Sequence, residues 1–139
     1  ENDGAVCLDG TTPAFYFREG WDDGETKFNI GIAAGGWCCG FDEPVVNPAS
    51  KIDTCYDRTK LNSGTSNEAK PYARIFGEWY DINSTINPLY YNWNSITLLY
   101  CDGGSFTANN ETVYQDADKN ITLYFRGHRI LKAFFEQMW

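Results

Sequence analysis

Residues 95–100, Ser-Ile-Thr-Leu-Leu-Tyr, form a short apolar and β-branched run that ends at once in Cys101-Asp102-Gly103-Gly104. A run this short, apolar and β-branched with a glycine turn behind it, reads as a strand buried on both faces. Two further strands are expected. Residues 13–17 stop at Gly20, and residues 27–33, with Phe28, Ile30, Ile32 and Ala33, stop at Gly35-Gly36. Between them lies the acidic turn Trp21-Asp22-Asp23-Gly24-Glu25, which lacks the spacing of an EF-hand loop and is expected to be a hairpin turn. The stretch 41–66 is rich in Pro, Asn, Asp, Ser and Gly and reads as a long loop, and 67–76 as a short helix. In 127–139 the residues Ile130, Leu131, Phe134, Phe135 and Met138 share one helical face. Strands fed by loops and followed by a crossover helix favour an α/β sheet over a sandwich.

The chain has 139 residues, the length of one domain, and 17% of them are aromatic, too many for a disordered segment. A net charge of −8 argues against nucleic acid and anionic membrane as partners. No apolar run approaches the roughly 20 residues needed to span a bilayer. No metal or other cofactor is expected. Cys38 and Cys39 are adjacent rather than spaced as zinc ligands, and His128 is the one histidine.

Five cysteines against one histidine point to an oxidising compartment. So do the sequons at Asn83-Ser84-Thr85, Asn110-Glu111-Thr112 and Asn120-Ile121-Thr122. A start at Glu1-Asn2-Asp3-Gly4 without Met reads as a processed N-terminus. Secreted, luminal or cell-surface location is therefore expected, with glycans on one or more of Asn83, Asn110 and Asn120.

Four blocks resemble, in order and spacing, the pectin acetylesterase/Notum family of secreted α/β-hydrolase carboxylesterases. They are Cys7-Leu8-Asp9-Gly10, Gly35-Gly36-Trp37-Cys38, the run 90–107 with Asn92-Trp93-Asn94 and Cys101-Asp102-Gly103-Gly104, and Leu123-Tyr124-Phe125-Arg126-Gly127. The resemblance implies that 1–139 is a single domain piece. It would be the N-terminal half of an α/β-hydrolase with a central, mostly parallel sheet and flanking helices. Strand 27–33 would lie near the sheet centre, with 95–100 beside it. Disulfides Cys7–Cys101 and Cys38–Cys55 are implied, which leaves Cys39 over. Backbone N–H groups stabilise a tetrahedral oxyanion best where no side chain intrudes, and the family uses its Gly-Gly-Trp turn for this. Gly36 and Trp37 are the candidates here. The family's acidic residue before the glycines is missing, its place taken by Ala33-Ala34.

The resemblance places the nucleophilic Ser in Gly-x-Ser-x-Gly beyond residue 139, with its Asp and His later still. Ser105 lacks the paired flanking glycines of such an elbow, Thr107 standing in the second place, and reads as a turn residue; His128 reads as a surface residue at a helix start. Two functions follow. One is a serine carboxylesterase acting on polysaccharide or acylated protein, to which this segment gives the oxyanion loop. The other is an inactive hydrolase relative kept for structure or binding. In either case strand 27–33 lacks Lys, Pro or a bulge in its core to defend an open edge. A further segment or chain is expected to pair beside it and to cover helix 127–139.

Overall fold

The computed structural model describes residues 4–33, 35–39, 54–61, 63–67, 77–117 and 120–138. They belong to two compact units, one of Ala14–Ala33 and Lys70–Leu99, the other of Glu1–Pro13, Ala34–Ala69 and Tyr100–Trp139. Most of the loop expected at 41–66 and nearly all of the helix expected at 67–76 lie outside the described residues.

The first unit is built on a sheet of β1 (Phe15–Arg18), β2 (Phe28–Ile32) and β3 (Asn94–Leu98) in the order β1-β3-β2. β3 runs antiparallel to β1 and parallel to β2. The apolar run forms the middle strand of the three, with Ile96 and Leu98 fully buried, whereas β2, expected near the sheet centre, lies at the edge of the described sheet. The hairpin expected between the first two strands is absent. Asp22–Gly24 is a 3₁₀ turn, and the two strands it joins each pair with β3 instead.

The cause is the Asn92-Trp93-Asn94 segment, which enters between them. Trp21 N–H donates to the Asn92 carbonyl at 2.9 Å, Gly20 N–H to Asn94 Oδ1 at 3.0 Å, and Asn94 Nδ2 to the Glu25 carbonyl at 2.7 Å. Asn92 Nδ2 also donates to Asp23 Oδ1 at 2.7 Å, so that carboxylate serves as a structural acceptor. These bonds satisfy backbone groups that a hairpin ladder would otherwise pair.

Register puts Phe17, Ile96 and Ile30 in one row and Phe15, Leu98 and Ile32 in the next, all on one face. The central residues are covered, but the flanking Phe17 is 54% exposed and Ile32 47%. On β1's opposite face Arg18 acts as a strut, donating to the Tyr80 carbonyl and to Ser95 Oγ, each at 2.7 Å. Asn87, almost fully buried, staples the loop before β3. Its Nδ2 donates to the carbonyls of Trp79 and Asp81, both at 3.0 Å.

The second unit packs α1 (Cys55–Arg58), the antiparallel pair β4 (Tyr114–Asp116) and β5 (Ile121–Leu123), and α2 (Gly127–Met138). Leu8, Cys55 and Leu123 form its core, with Cys38, Tyr114, Ile121 and Phe125 against them. Thr54 caps α1 by accepting the Asp57 N–H at 3.0 Å. Along α2, Ile130 and Phe134 are buried, whereas Phe135 on the same face is 38% exposed. Cys7 is bonded to Cys101 and Cys38 to Cys55, and Cys39 is free.

Candidate functional site

The glycine turn after β2 belongs to the second unit, where three bonds hold it from one neighbouring segment. Cys38 N–H donates to the Gly103 carbonyl at 3.0 Å, the Tyr100 hydroxyl to the Gly36 carbonyl at 3.1 Å, and Trp37 Nε1 to Ser105 Oγ at 2.6 Å. Ser105 N–H in turn donates to the Tyr100 hydroxyl oxygen at 3.3 Å. The Cys38–Cys55 bridge ties the turn's far end to α1. Glycine is required at position 35 because a Cβ there would enter the Tyr100 ring.

What the turn offers is two unused donors. Gly36 and Trp37 are exposed, and among the described residues neither backbone N–H donates to a protein acceptor. Among the described residues, a Cβ at Gly36 would meet one atom within 4 Å, Arg58 Nη2 at 3.5 Å. Arg58 itself is almost fully buried and donates from Nη1 to Ser63 Oγ at 2.9 Å. Its nearness to the turn was not foreseeable from a loop of polar residues.

Asp102 is the other residue that sequence reading passed over. It is 1% exposed, and burial pushes its carboxyl above the usual carboxylate range, partly opposed by backbone N–H groups, Phe106 foremost. Oδ2 accepts the Phe106 N–H at 2.8 Å, while Oδ1 has no hydrogen-bond partner among the described residues. Ser105 and Phe106 both have left-handed backbone, with φ of 52° and 61°. Such a pair outside glycine costs on the order of 1–2 kcal/mol per residue and persists only where its surroundings impose it.

Ser105 therefore sits at the site, but as the acceptor of the Trp37 indole. His128 is exposed at the second position of α2, and its N–H donates to the Ala108 carbonyl at 2.9 Å. The sequon residues Asn83, Asn110 and Asn120 are all exposed. Asn83 Oδ1 accepts the Thr85 N–H at 2.9 Å and Asn110 Oδ1 the Thr112 N–H at 3.0 Å, so both are folded back on their own sequons. Among the described residues no group of three or more His, Cys, Asp or Glu is placed to hold a metal ion. No described helix is long and apolar enough to cross a membrane.

The pectinacetylesterase family model matches residues 1–139. Pectin acetylesterase 11 and pectin acetylesterase 7 of Arabidopsis thaliana are each 35% identical over 138 residues, covering 97% of this chain and 30% of theirs. A palmitoleoyl-protein carboxylesterase Notum from Schmidtea mediterranea is 27% identical over 133 residues, covering 95% of this chain and 22% of its own. Among solved structures, the Wnt deacylase Notum from Drosophila superposes with a TM-score of 0.71 at 24% identity, covering 96% of this chain and 34% of that one. The chain thus spans about a third or less of the length of the proteins it matches. With its mixed sheet and two disulfides the chain has the fold of the N-terminal portion of an α/β-hydrolase, and it belongs to the pectinacetylesterase family.

Proposed function

We propose that this segment supplies the oxyanion hole of a secreted serine carboxylesterase, with the main-chain N–H groups of Gly36 and Trp37 as the donors. The observation that carries the reading is the pair of exposed N–H groups, unused among the described residues, on a turn held through its Gly36 carbonyl, Trp37 indole and Cys38 N–H. Donors fixed before the reaction need no reorganisation when a carbonyl oxygen becomes an oxyanion. The nucleophilic Ser, with its Asp and His, belongs to a further segment of the hydrolase fold. That segment pairs beside β2 and covers the apolar face that leaves Phe15, Phe17, Phe28 and Ile32 exposed. An edge strand and an open apolar face of this kind call for a cover.

Names of the relatives suggest an acetylated polysaccharide or an acylated protein as substrate, with removal of the acyl group by water. The full-length protein should release acetate from acetylated pectin and lose that activity on treatment with an activated alkyl phosphonate, which phosphonylates a nucleophilic Ser. A full-length protein that neither hydrolyses the ester nor takes up the phosphonate supports the second reading, an inactive relative kept for binding. The observation on that side is Ala33-Ala34, where the resembled family carries an acidic residue.

Secretion with N-linked sugars belongs to the same proposal, since two disulfides and three exposed sequon asparagines suit that route. Enzymatic deglycosylation in heavy-oxygen water should convert at least one of Asn83, Asn110 and Asn120 to labelled Asp, Asn110 first. Native material bare at all three would count against it.

A further inference from the structure

We infer that Asp102 is a positioning residue for the Trp37 turn, acting through the left-handed pair Ser105–Phe106 to set the indole and hence the main chain beside it. The inference extends the oxyanion reading, and its experiment is chosen so that the two can fail separately.

Every hydrogen bond that the Gly36–Cys38 turn makes to its neighbour ends on Tyr100, Gly103 or Ser105. Those three residues bracket Asp102. Left alone, a Ser-Phe pair has no reason to hold positive φ, because each side chain then crowds its own backbone. The Asp102 side chain supplies the reason. Its Oδ2 takes the Phe106 N–H four residues on, closing a ring around Gly103, Gly104 and Ser105. That ring aims Ser105 Oγ at the Trp37 indole and Ser105 N–H at the Tyr100 hydroxyl.

Asp102 is itself fixed from the other side. A Cβ on Gly127 would overlap its carboxylate, so the first residue of α2 has been left without a side chain to admit that group. The Asp of Cys101-Asp102-Gly103-Gly104 and the last Gly of Leu123-Tyr124-Phe125-Arg126-Gly127 are thus two halves of one contact. A buried carboxylate with an unpartnered oxygen is costly. Among the described residues its one visible return is the shape of the Ser105 turn.

The experiment compares Asp102→Ala with Asp102→Asn in the full-length protein. Asn keeps an oxygen able to accept the Phe106 N–H; Ala does not. For D102A we expect kcat for ester hydrolysis to fall on the order of 10–100-fold with KM nearly unchanged, the signature of misplaced transition-state contacts. The Trp37 indole N–H resonance, assigned by its loss in Trp37→Phe, should move in D102A. In D102N the indole should stay in place and kcat should remain within about threefold of the parent.

Should D102A fail to fold, Ser105→Ala cuts the indole bond directly and should move the same resonance and lower kcat by about tenfold. An unmoved indole in D102A, or in S105A where D102A does not fold, overturns the inference. So does an equal loss of kcat in D102N and D102A. An indole that moves in D102A while kcat holds keeps Asp102 as the positioning residue and instead overturns the oxyanion role of the turn.

Discussion

Replacing Cys7 and Cys101 together by Ala should lower the unfolding free energy by about 4–5 kcal/mol, the largest stability loss expected in this chain. The bridge spans 94 residues of sequence and so removes far more freedom from the unfolded chain than the Cys38–Cys55 bridge, which spans 17. By the same chain-entropy argument the shorter loop is worth about 3 kcal/mol. Ala is the better test than Ser, since both positions are fully buried and a hydroxyl would add an unsatisfied polar group. Chemical denaturation of the two double variants should show the ranking. Equal losses would mean that the unfolded chain is already restrained between residues 7 and 101.

Gly127→Ala should cost about 3 kcal/mol although it adds a single methyl group and Ala is the better helix former. Helix propensity alone predicts the opposite sign. What decides is space: the new Cβ would overlap Asp102 and stand 2.6 Å from the Phe106 Cα, and backbone cannot yield as a flexible side chain would. Asp102→Ala should recover part of the loss, giving a coupling of about 1 kcal/mol or more in a double-mutant cycle measured by denaturation. Recovery is expected to be incomplete because the Phe106 contact remains. Additive effects would show that the two residues do not share one volume.

Much of the sheet was legible because burial leaves a compositional trace. Ser95 to Leu98 reads as a strand because it opens a short apolar and β-branched run that buries Ile96 and Leu98, and α2 reads as a helix because Ile130 and Phe134 fall on one face. The hairpin between β1 and β2 was misjudged for a reason that spacing cannot reveal. Asn92 and Asn94, distant in sequence, take the backbone partners such a turn would use. β4 and β5 carry three residues each, and α1 four, too short for any period to register.

At the site, the Gly-Gly-Trp turn stood out only through family resemblance. Asp102 looked like an ordinary turn residue because its contact with Gly127 exists only once both segments are folded.

The most direct measurement is the structure of the full-length protein inactivated by an alkyl phosphonate, whose phosphoryl oxygen stands where the oxyanion of an acyl transfer would. The account predicts that oxygen about 2.7–3.1 Å from the backbone nitrogens of Gly36 and Trp37, with the Trp37 indole still on Ser105. A phosphonylated Ser whose oxygen faces other donors, with both nitrogens beyond about 4 Å, would contradict it.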